Sequence, residues 1–418
     1  MLVFACVAGG MALRLMFPND IEYKSDEAWT FTHVQADRAG APWPWTGLAT
    51  SVGPPNPGFS LWVFVALARL FDVSTPPELA RTVQILACVA LIALVGFARW
   101  AIDEAHREPW YWAAALWAVN PLAIIFERKI WPPSVLLLPM IALVAAWWFR
   151  RNRACAFLWG LLGALMAQIH LGVAFLAVAI AVWTWWRDGA AVRWGAWLAG
   201  GLVGSLPALP WLFELLTMSK GAALHWRWPF PSFYTRWVTQ PFGLGVEYTL
   251  GWNHMRDFLS GPAVAGHPTY LIAALHIGLA VLLVLALARA IRAAMERRRF
   301  WTMVFLRGPD PSQTLMGAAL WGYGLMLTAL TMIGAGSHRH YLIVVAPLMA
   351  LWTARIILDG DRTGSSAVGR RIILPLSCVL QLAVSAGLLG YIHQVQVIRG
   401  EYGATWQSQE RSGISVGP

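Results

Sequence analysis

Twelve apolar stretches divide almost the whole chain, and their length limits the folds open to it. They run over residues 1–17, 57–72, 82–101, 110–126, 130–149, 154–169, 171–186, 194–216, 268–291, 312–335, 341–358 and 371–392. Most approach the roughly 20 residues that a helix needs to cross a bilayer's hydrocarbon. Of the 418 residues 58% are hydrophobic and only 12% are charged, and mean hydropathy is +0.55. These values imply an all-α polytopic membrane protein. Cys6, Cys88, Cys155 and Cys378 all lie inside apolar segments, where they read as small core hydrophobes rather than disulfides or a metal cluster. The first run carries Arg14 near its end and no small-residue cleavage site, so it is expected to persist as a first helix.

The formal charge of +10 does not signal a nucleic-acid partner. The excess Arg lies in short loops between apolar segments, where it sets orientation in the membrane. Residues 150–153 carry three Arg, and 187–193 carry Arg187 and Arg193. Six more lie between Arg289 and Arg307, and Arg355, Arg362, Arg370 and Arg371 flank the loop after 341–358. Those 15 of the 31 basic residues fall on one face, expected to be cytoplasmic. The opposite face receives 18–56, 127–129, 217–267, 336–340 and the residues after 392. Strict alternation fails once, because three apolar segments separate 18–56 from 127–129. The 57–72 segment opens with "PPNPG" and ends at Arg69 and Asp72. It is expected to be a half-helix or re-entrant piece whose ends protein buries. About eleven crossings remain.

The 18–56 loop holds Asp20, Glu22, Lys24, Asp26, Glu27 and Asp37 beside Trp29, Phe31, Val34, Trp43 and Trp45. A disordered tether would lack those aromatics, so the loop is expected to be ordered. "SDEAWTFTHVQADRAG" reads as a short surface helix, with Ser25 as N-cap, Asp26 and Glu27 in the positive first turn, and Gly40 as the stop.

An apolar helix ending in Arg14, "DEA" at 26–28, and the Pro54–Pro55 pair opening the next apolar segment resemble the GT-C fold glycosyltransferases. Within them the sequence is most similar to the protein O-mannosyltransferases and the bacterial aminoarabinose lipid A transferases. "STPPELARTVQILACVALIALVGFAR", "NPLAIIFERKI" and "HRHYLIVVAPLMALW" fit the same pattern. The resemblance implies a GT-C-like bundle in which 1–216 forms the core around the active-site loop 18–56. Residues 217–267 would form an extracytoplasmic loop, and 268–418 the remaining helices with a short outer tail. It implies a multi-pass protein of the cell's inner membrane with its site on the outer side. The donor would be a sugar on a polyprenyl-phosphate carrier, and the acceptor a hydroxyl on a lipid, glycan or protein.

Such chemistry needs a carboxylate to take the acceptor's proton and cationic groups to bind the departing phosphate. The resemblance assigns the first role to Asp26, with Glu27 beside it. For the phosphate it points first to Arg339, then to Arg128 and Lys129, with His338, His340, Glu127 and Asn56 as further contacts. It departs from the pattern where Gly53 precedes the Pro pair and where no acid follows Arg128 and Lys129. A divalent metal ion is therefore not demanded. Each residue also has a plainer reading. Asp26 and Glu27 suit a helix N-terminus, Arg339 suits a membrane-interface anchor, and Glu127 could pair with a neighbouring base. Trp226, Trp228, Phe230, Phe233, Tyr234 and Trp237 could stack on a sugar or form an interfacial belt, and His170 reads as a loop residue. Two other functions fit a polytopic bundle: a transporter or lipid flippase, and an inactive GT-C-like binding protein. Transport would call for ionisable residues within the spans, whereas Glu214 is the main acid inside a late segment and sits near its outer end.

Overall fold

The computed structural model describes residues 1–50, 54–217, 226–296, 310–334, 338–361 and 367–413. Gly53, Arg297, Arg298, Arg299, Arg307 and Arg362, singled out above, lie outside them. The described chain is almost wholly helical. The first half comprises α1 (Leu2–Leu15), α2 (Ser25–Arg38), α3 (Phe59–Leu70), α4 (Pro76–Ala101), α5 (Glu108–Val119), α6 (Pro121–Phe126), α7 (Leu137–Trp148), α8 (Arg153–Ile169), α9 (Gly172–Asp188), α10 (Trp194–Ser205) and α11 (Leu209–Thr217). Then follow α12 (Ser232–Thr239), α13 (Glu247–Ser260) and α14 (Leu271–Glu296), with further helices over Pro311–Met332, Ala346–Asp361 and Gly369–Val395. Among the described residues, five stretches are long and apolar enough to cross a membrane: Pro76–Ala101, Trp194–Thr217, Leu271–Met295, Pro311–Met332 and Gly369–Val395. Shorter apolar helices, α1, α3, α7 and α8 among them, stand beside these.

Local chemistry explains the breaks. The 110–126 segment divides at Pro121, which cannot donate to the ladder of α5, and Asn120 caps the new helix by accepting from the Ala123 N–H at 3.0 Å. α4 starts on Thr75 and Pro76, with Glu78 accepting from the Thr75 N–H at 3.0 Å. The Trp194–Thr217 span tightens into a 3₁₀ turn at Leu206–Ala208, and Pro311–Met332 contains a π turn at Ala318–Tyr323. α8 and α10 pack backbone to backbone. A Cβ on Gly160 would lie 2.0 Å from the Trp197 carbonyl oxygen, and one on Gly200 would lie 1.9 Å from that of Phe157. Small residues allow that approach, as in helix pairs that meet within lipid. All four cysteines are free thiols.

The arginine-rich loops gather at one end. Arg150 Nε donates to Asp188 at 2.6 Å, Arg193 Nε donates to the Arg151 carbonyl at 3.3 Å, Arg355 pairs with Asp310, and Arg370 with Glu108. At the other end, α3 keeps both of its termini. Its start follows a small hairpin, β1 (Thr46–Ala49) with β2 (Pro55–Pro57). Its far end is tied back to α2 by Arg69–Asp37 at 2.7 Å, by Arg38 on Asp72, and by Gln35 on the Ser74 carbonyl at 3.2 Å. The start of α4 then meets the C-terminal end of α1, where Arg81 donates to the Leu15 carbonyl at 2.8 Å. A helix of 12 residues is about 18 Å long, too short for a hydrocarbon layer of about 30 Å.

Residues 393–413 do not trail off as a tail but strap the first outer loop to the α13 region. Tyr23 N–H donates to Ala404 O at 3.1 Å, Trp406 N–H to Ile21 O at 3.0 Å, Gln407 N–H to Asn19 O at 3.1 Å and Tyr402 N–H to Thr249 O at 3.0 Å. Trp406 packs edge-on against Tyr23 at 4.7 Å. His393 holds Asp20 at 2.6 Å, and Tyr402 is buried over the Asp20 carbonyl.

Candidate active site

α2 is where the sequence predicts it, one residue shifted at its start: Lys24 is the N-cap and Ser25 the first helical residue. Glu27 closes the first turn by accepting the Lys24 N–H at 3.2 Å, and Gly40, at φ +87°, ends the helix in the left-handed region. The two acids of the first turn differ sharply. The Asp26 carboxylate is half-exposed and has no hydrogen-bond or ion-pair partner among the described residues. Glu27 is 1% exposed.

Around this turn the contacts close into a circuit. Lys24 Nζ holds Glu22 at 2.8 Å, and Glu22 is also paired with Lys129. Lys129 sits over the rings of Phe126 and Trp131, at 5.3 Å from each. Trp131 meets His340 edge-on at 4.8 Å. The neighbouring Arg339 lies over Tyr248 at 5.1 Å and pairs with Glu247 at 2.8 Å. The Tyr248 carbonyl accepts from Glu401 N–H at 3.4 Å, and the Glu401 carboxylate returns to Lys24 at 3.5 Å. Gly245, at φ +116°, makes room for Arg339: a Cβ there would lie 2.0 Å from its Nη1. Segments from five places in the chain thus meet beside the first turn of α2.

Several predicted residues join this circuit and several do not. Lys129, Arg339 and His340 are in it, and His338 stacks parallel on His340 at 5.3 Å. Arg128 turns inward instead. Its guanidinium caps the end of α1 by donating to the carbonyls of Arg14 at 2.8 Å, Met16 at 2.5 Å and Phe17 at 2.9 Å. Glu127 pairs neither with Arg128 nor with Lys129, but with Arg14 at 2.5 Å, and accepts from Trp117 Nε1 at 2.7 Å. Asn56 sits in the β1–β2 hairpin, donating to Leu48 O at 3.0 Å. Of the aromatic set, Phe233 and Trp237 are buried, whereas Trp226, Trp228 and Phe230 are exposed, Trp228 to 93%. Glu22, Lys24, Tyr248 and Glu401 were not singled out for the site. The charge run at 20–27 was the only signal for the first two. A cavity of about 30 Å³, room for about one water, lies between Trp117, Asn120, Glu127, Gln240 and Met349. Among the described residues no group of three His, Cys, Asp or Glu side chains could hold a metal ion.

Burial sets the protonation of the site. It raises the Glu27 carboxyl to about 8, with the Glu22 charge adding to the rise and Lys129 and Lys24 opposing it. Burial lowers His170 to about 4 and His340 well below its ordinary value, the latter with the help of His170, His338, Lys129 and Arg236. Both imidazoles are neutral at physiological pH. The folded protein therefore keeps the Glu27 proton up to about pH 8, whereas the unfolded chain loses it near 4.5. The folded state binds more protons in that window, so stability falls as pH rises through it, by up to about 1.4 kcal/mol per unit. Glu27→Gln is expected to flatten that slope. Thermal unfolding in detergent at a series of pH values between the two limits checks it, and an unchanged slope refutes the assignment.

The fold is of GT-C type. Among solved structures the chain is similar to ArnT from Cupriavidus metallidurans bound to undecaprenyl phosphate, with a TM-score of 0.53 at 14% identity, over 92% of this chain and 75% of that one. The apo state of the same protein matches at 0.53 and 13% identity over the same shares. The Archaeoglobus fulgidus oligosaccharyltransferase aligns at 0.48 and 12% identity, over 92% of this chain and 55% of that one. No protein-family model matches the sequence, and no curated protein does.

Proposed function

We propose that the protein is a membrane glycosyltransferase that moves a sugar from a polyprenyl-phosphate carrier to an acceptor hydroxyl at the outer end of an eleven-crossing bundle in the inner membrane. The observation that carries this reading is the cationic and aromatic circuit at the first turn of α2, the same turn that carries Asp26, whose carboxylate has no partner among the described residues. Asp26 is the general base, because its carboxylate is accessible and uncommitted, whereas Glu27 is buried and holds its own proton. Glu27 and Glu22 fix the first turn of α2. Arg339 binds the carrier's phosphate, exchanging Glu247 for it. Lys129, engaged with Glu22, adds positive potential. Arg128 and Glu127 act one step back, holding the outer end of α1 under the site. The likeness to a protein captured with undecaprenyl phosphate supports a polyprenyl-linked donor.

Binding of undecaprenyl phosphate to the purified protein tests the reading. Arg339→Met is expected to weaken it by about 10- to 100-fold, the worth of a charge-assisted hydrogen bond. Absence of binding to the unaltered protein would sink the donor assignment. An unchanged affinity in the variant would remove Arg339 from it.

A further inference from the structure

At the arginine-rich end, the turns 150–153 and 187–193 carry five Arg and a single acid, Asp188. Backbone contacts join them into one surface. The Arg193 N–H donates to the Arg150 carbonyl at 3.5 Å, and Arg193 Nε donates to that of Arg151 at 3.3 Å. Asp188 is already taken by Arg150, which donates to it at 2.6 Å and lies over the Trp147 ring at 3.9 Å. Arg151, Arg153 and Arg193 are exposed, and none of them meets an acid among the described residues. Elsewhere at this end Arg355 faces Asp310 and Arg370 faces Glu108. The helices beneath do not relieve the charge. α8 and α10 run parallel, Gly200 against the Phe157 carbonyl and Gly204 against that of Leu161, and both begin at this surface. α10 starts on Arg193, where a side chain that accepts a hydrogen bond is the usual cap.

One side of the same surface is apolar. Trp185 and Trp186, in the last turn of α9, are 63% and 56% exposed, and Trp185 meets Trp194, in the first turn of α10, at 5.4 Å. Exposed indoles at the end of an apolar helix lie at the headgroup level of a bilayer. The three open guanidiniums therefore sit where lipid phosphates are. Orientation in the membrane depends on how many arginines a loop carries, and it does not require three of them to stand unmatched on one surface. A soluble anion would answer the charge alone. A phospholipid answers both features, its phosphates held by the guanidinium forks and its acyl chains lying against Trp185 and Trp186. Three open cations also exceed the charge of one phosphodiester. We propose that the turns 150–153 and 187–193 bind the headgroup of an anionic phospholipid from the surrounding leaflet, with preference for one that carries two phosphates. The candidate active site lies at the other end of α8, whose 17 residues span about 25 Å. There His170 meets His340 at 5.2 Å. The lipid site does not depend on the donor reading.

Binding of three lipids to the full-length protein, stripped of lipid in detergent and followed by native mass spectrometry, tests the site. The lipids are cardiolipin with two phosphates, phosphatidylglycerol with one, and phosphatidylcholine with no net charge. Affinity is expected to fall in that order, with cardiolipin about 10- to 100-fold above phosphatidylcholine, since each arginine at a membrane surface is worth about fivefold. The side chains of Arg151 and Arg153 hold no other described residue, so their loss spares the fold. Arg151→Gln and Arg153→Gln are each expected to weaken cardiolipin binding about fivefold. Combined with Arg193→Gln, they are expected to bring it to the level of phosphatidylcholine. Arg99→Gln with Arg371→Gln, at exposed arginines outside the two turns, controls for net charge and is expected to change nothing. Equal affinity for cardiolipin and phosphatidylcholine would overturn the site. So would full cardiolipin binding in the single and triple variants, or a loss in the control pair as large as in the triple. Displacement of cardiolipin by inorganic phosphate at a comparable concentration would mark a plain anion site in place of a lipid one.

Discussion

Asp26→Asn is expected to lower sugar transfer by about 10²- to 10⁴-fold, the usual weight of a positioned general base, with membrane yield and melting temperature unchanged. The amide keeps the size of the carboxylate but cannot take a proton. The fold is insensitive because the Asp26 carboxylate holds no other described residue and Thr30 uses only the Asp26 backbone carbonyl, at 2.8 Å. The neighbouring position behaves in the opposite way. Glu27 accepts the Lys24 N–H and is buried against Glu22, so Glu27→Gln keeps the turn and most of the activity. Turnover of a polyprenyl-phosphate-linked donor by the two variants, side by side, separates the roles. If Asp26→Asn transfers sugar at nearly the unaltered rate, the base lies elsewhere.

The largest effect on stability is expected just beneath the site, at the C-terminal end of α1. Arg14 and Glu127 are both buried, at 0% and 1% side-chain exposure, and are joined at 2.5 Å. Arg14 also donates to the carbonyls of Gly10 at 2.9 Å and Ala118 at 2.5 Å. Removing one partner leaves the other charge buried and uncompensated, at a cost of about 3–5 kcal/mol. Glu127→Leu alone, or Arg14→Met alone, is therefore expected to cut the yield of folded protein severely. The double variant removes both charges and recovers much of the loss, since apolar replacement of a buried pair is often near neutral. Unfolding of the three variants in mild detergent measures this. A double variant no more stable than the singles would mean that the pair contributes through its carbonyl contacts instead. Because Arg14 fastens to three neighbouring groups, the pair reads as a joint between α1, α5 and the 127–131 loop, not as a relay for ion movement.

What could be read from sequence follows the range over which each interaction acts. Apolar length located the helices, and turn chemistry located α2, because both signals lie within a few residues. The counting of arginine loops singled out 57–72 as the segment out of step with the others, since orientation is a property of whole segments. The inward turn of Arg128 was hidden. Nothing local distinguishes an arginine that caps a helix 114 positions away from one that faces a ligand. Glu127 has three bases within reach of a plausible pairing, two of them adjacent in sequence, and it takes the distant one. Asn56 looked like a lone polar group in a proline loop, and its partner Leu48 becomes visible only once the β1–β2 hairpin is formed. The strap was invisible for the same reason, as two-residue strands at 397–398 and 403–404 carry no periodicity.

That strap also bears on timing. Lys24 and Glu401 are separated by 377 positions, so the acid-bearing segment leaves the ribosome long before the residues that fasten it. Contacts so remote form late and slowly. The loop that carries the acids is thus fastened last, after the helices beside it have already found one another, and a half-made chain holds it untied.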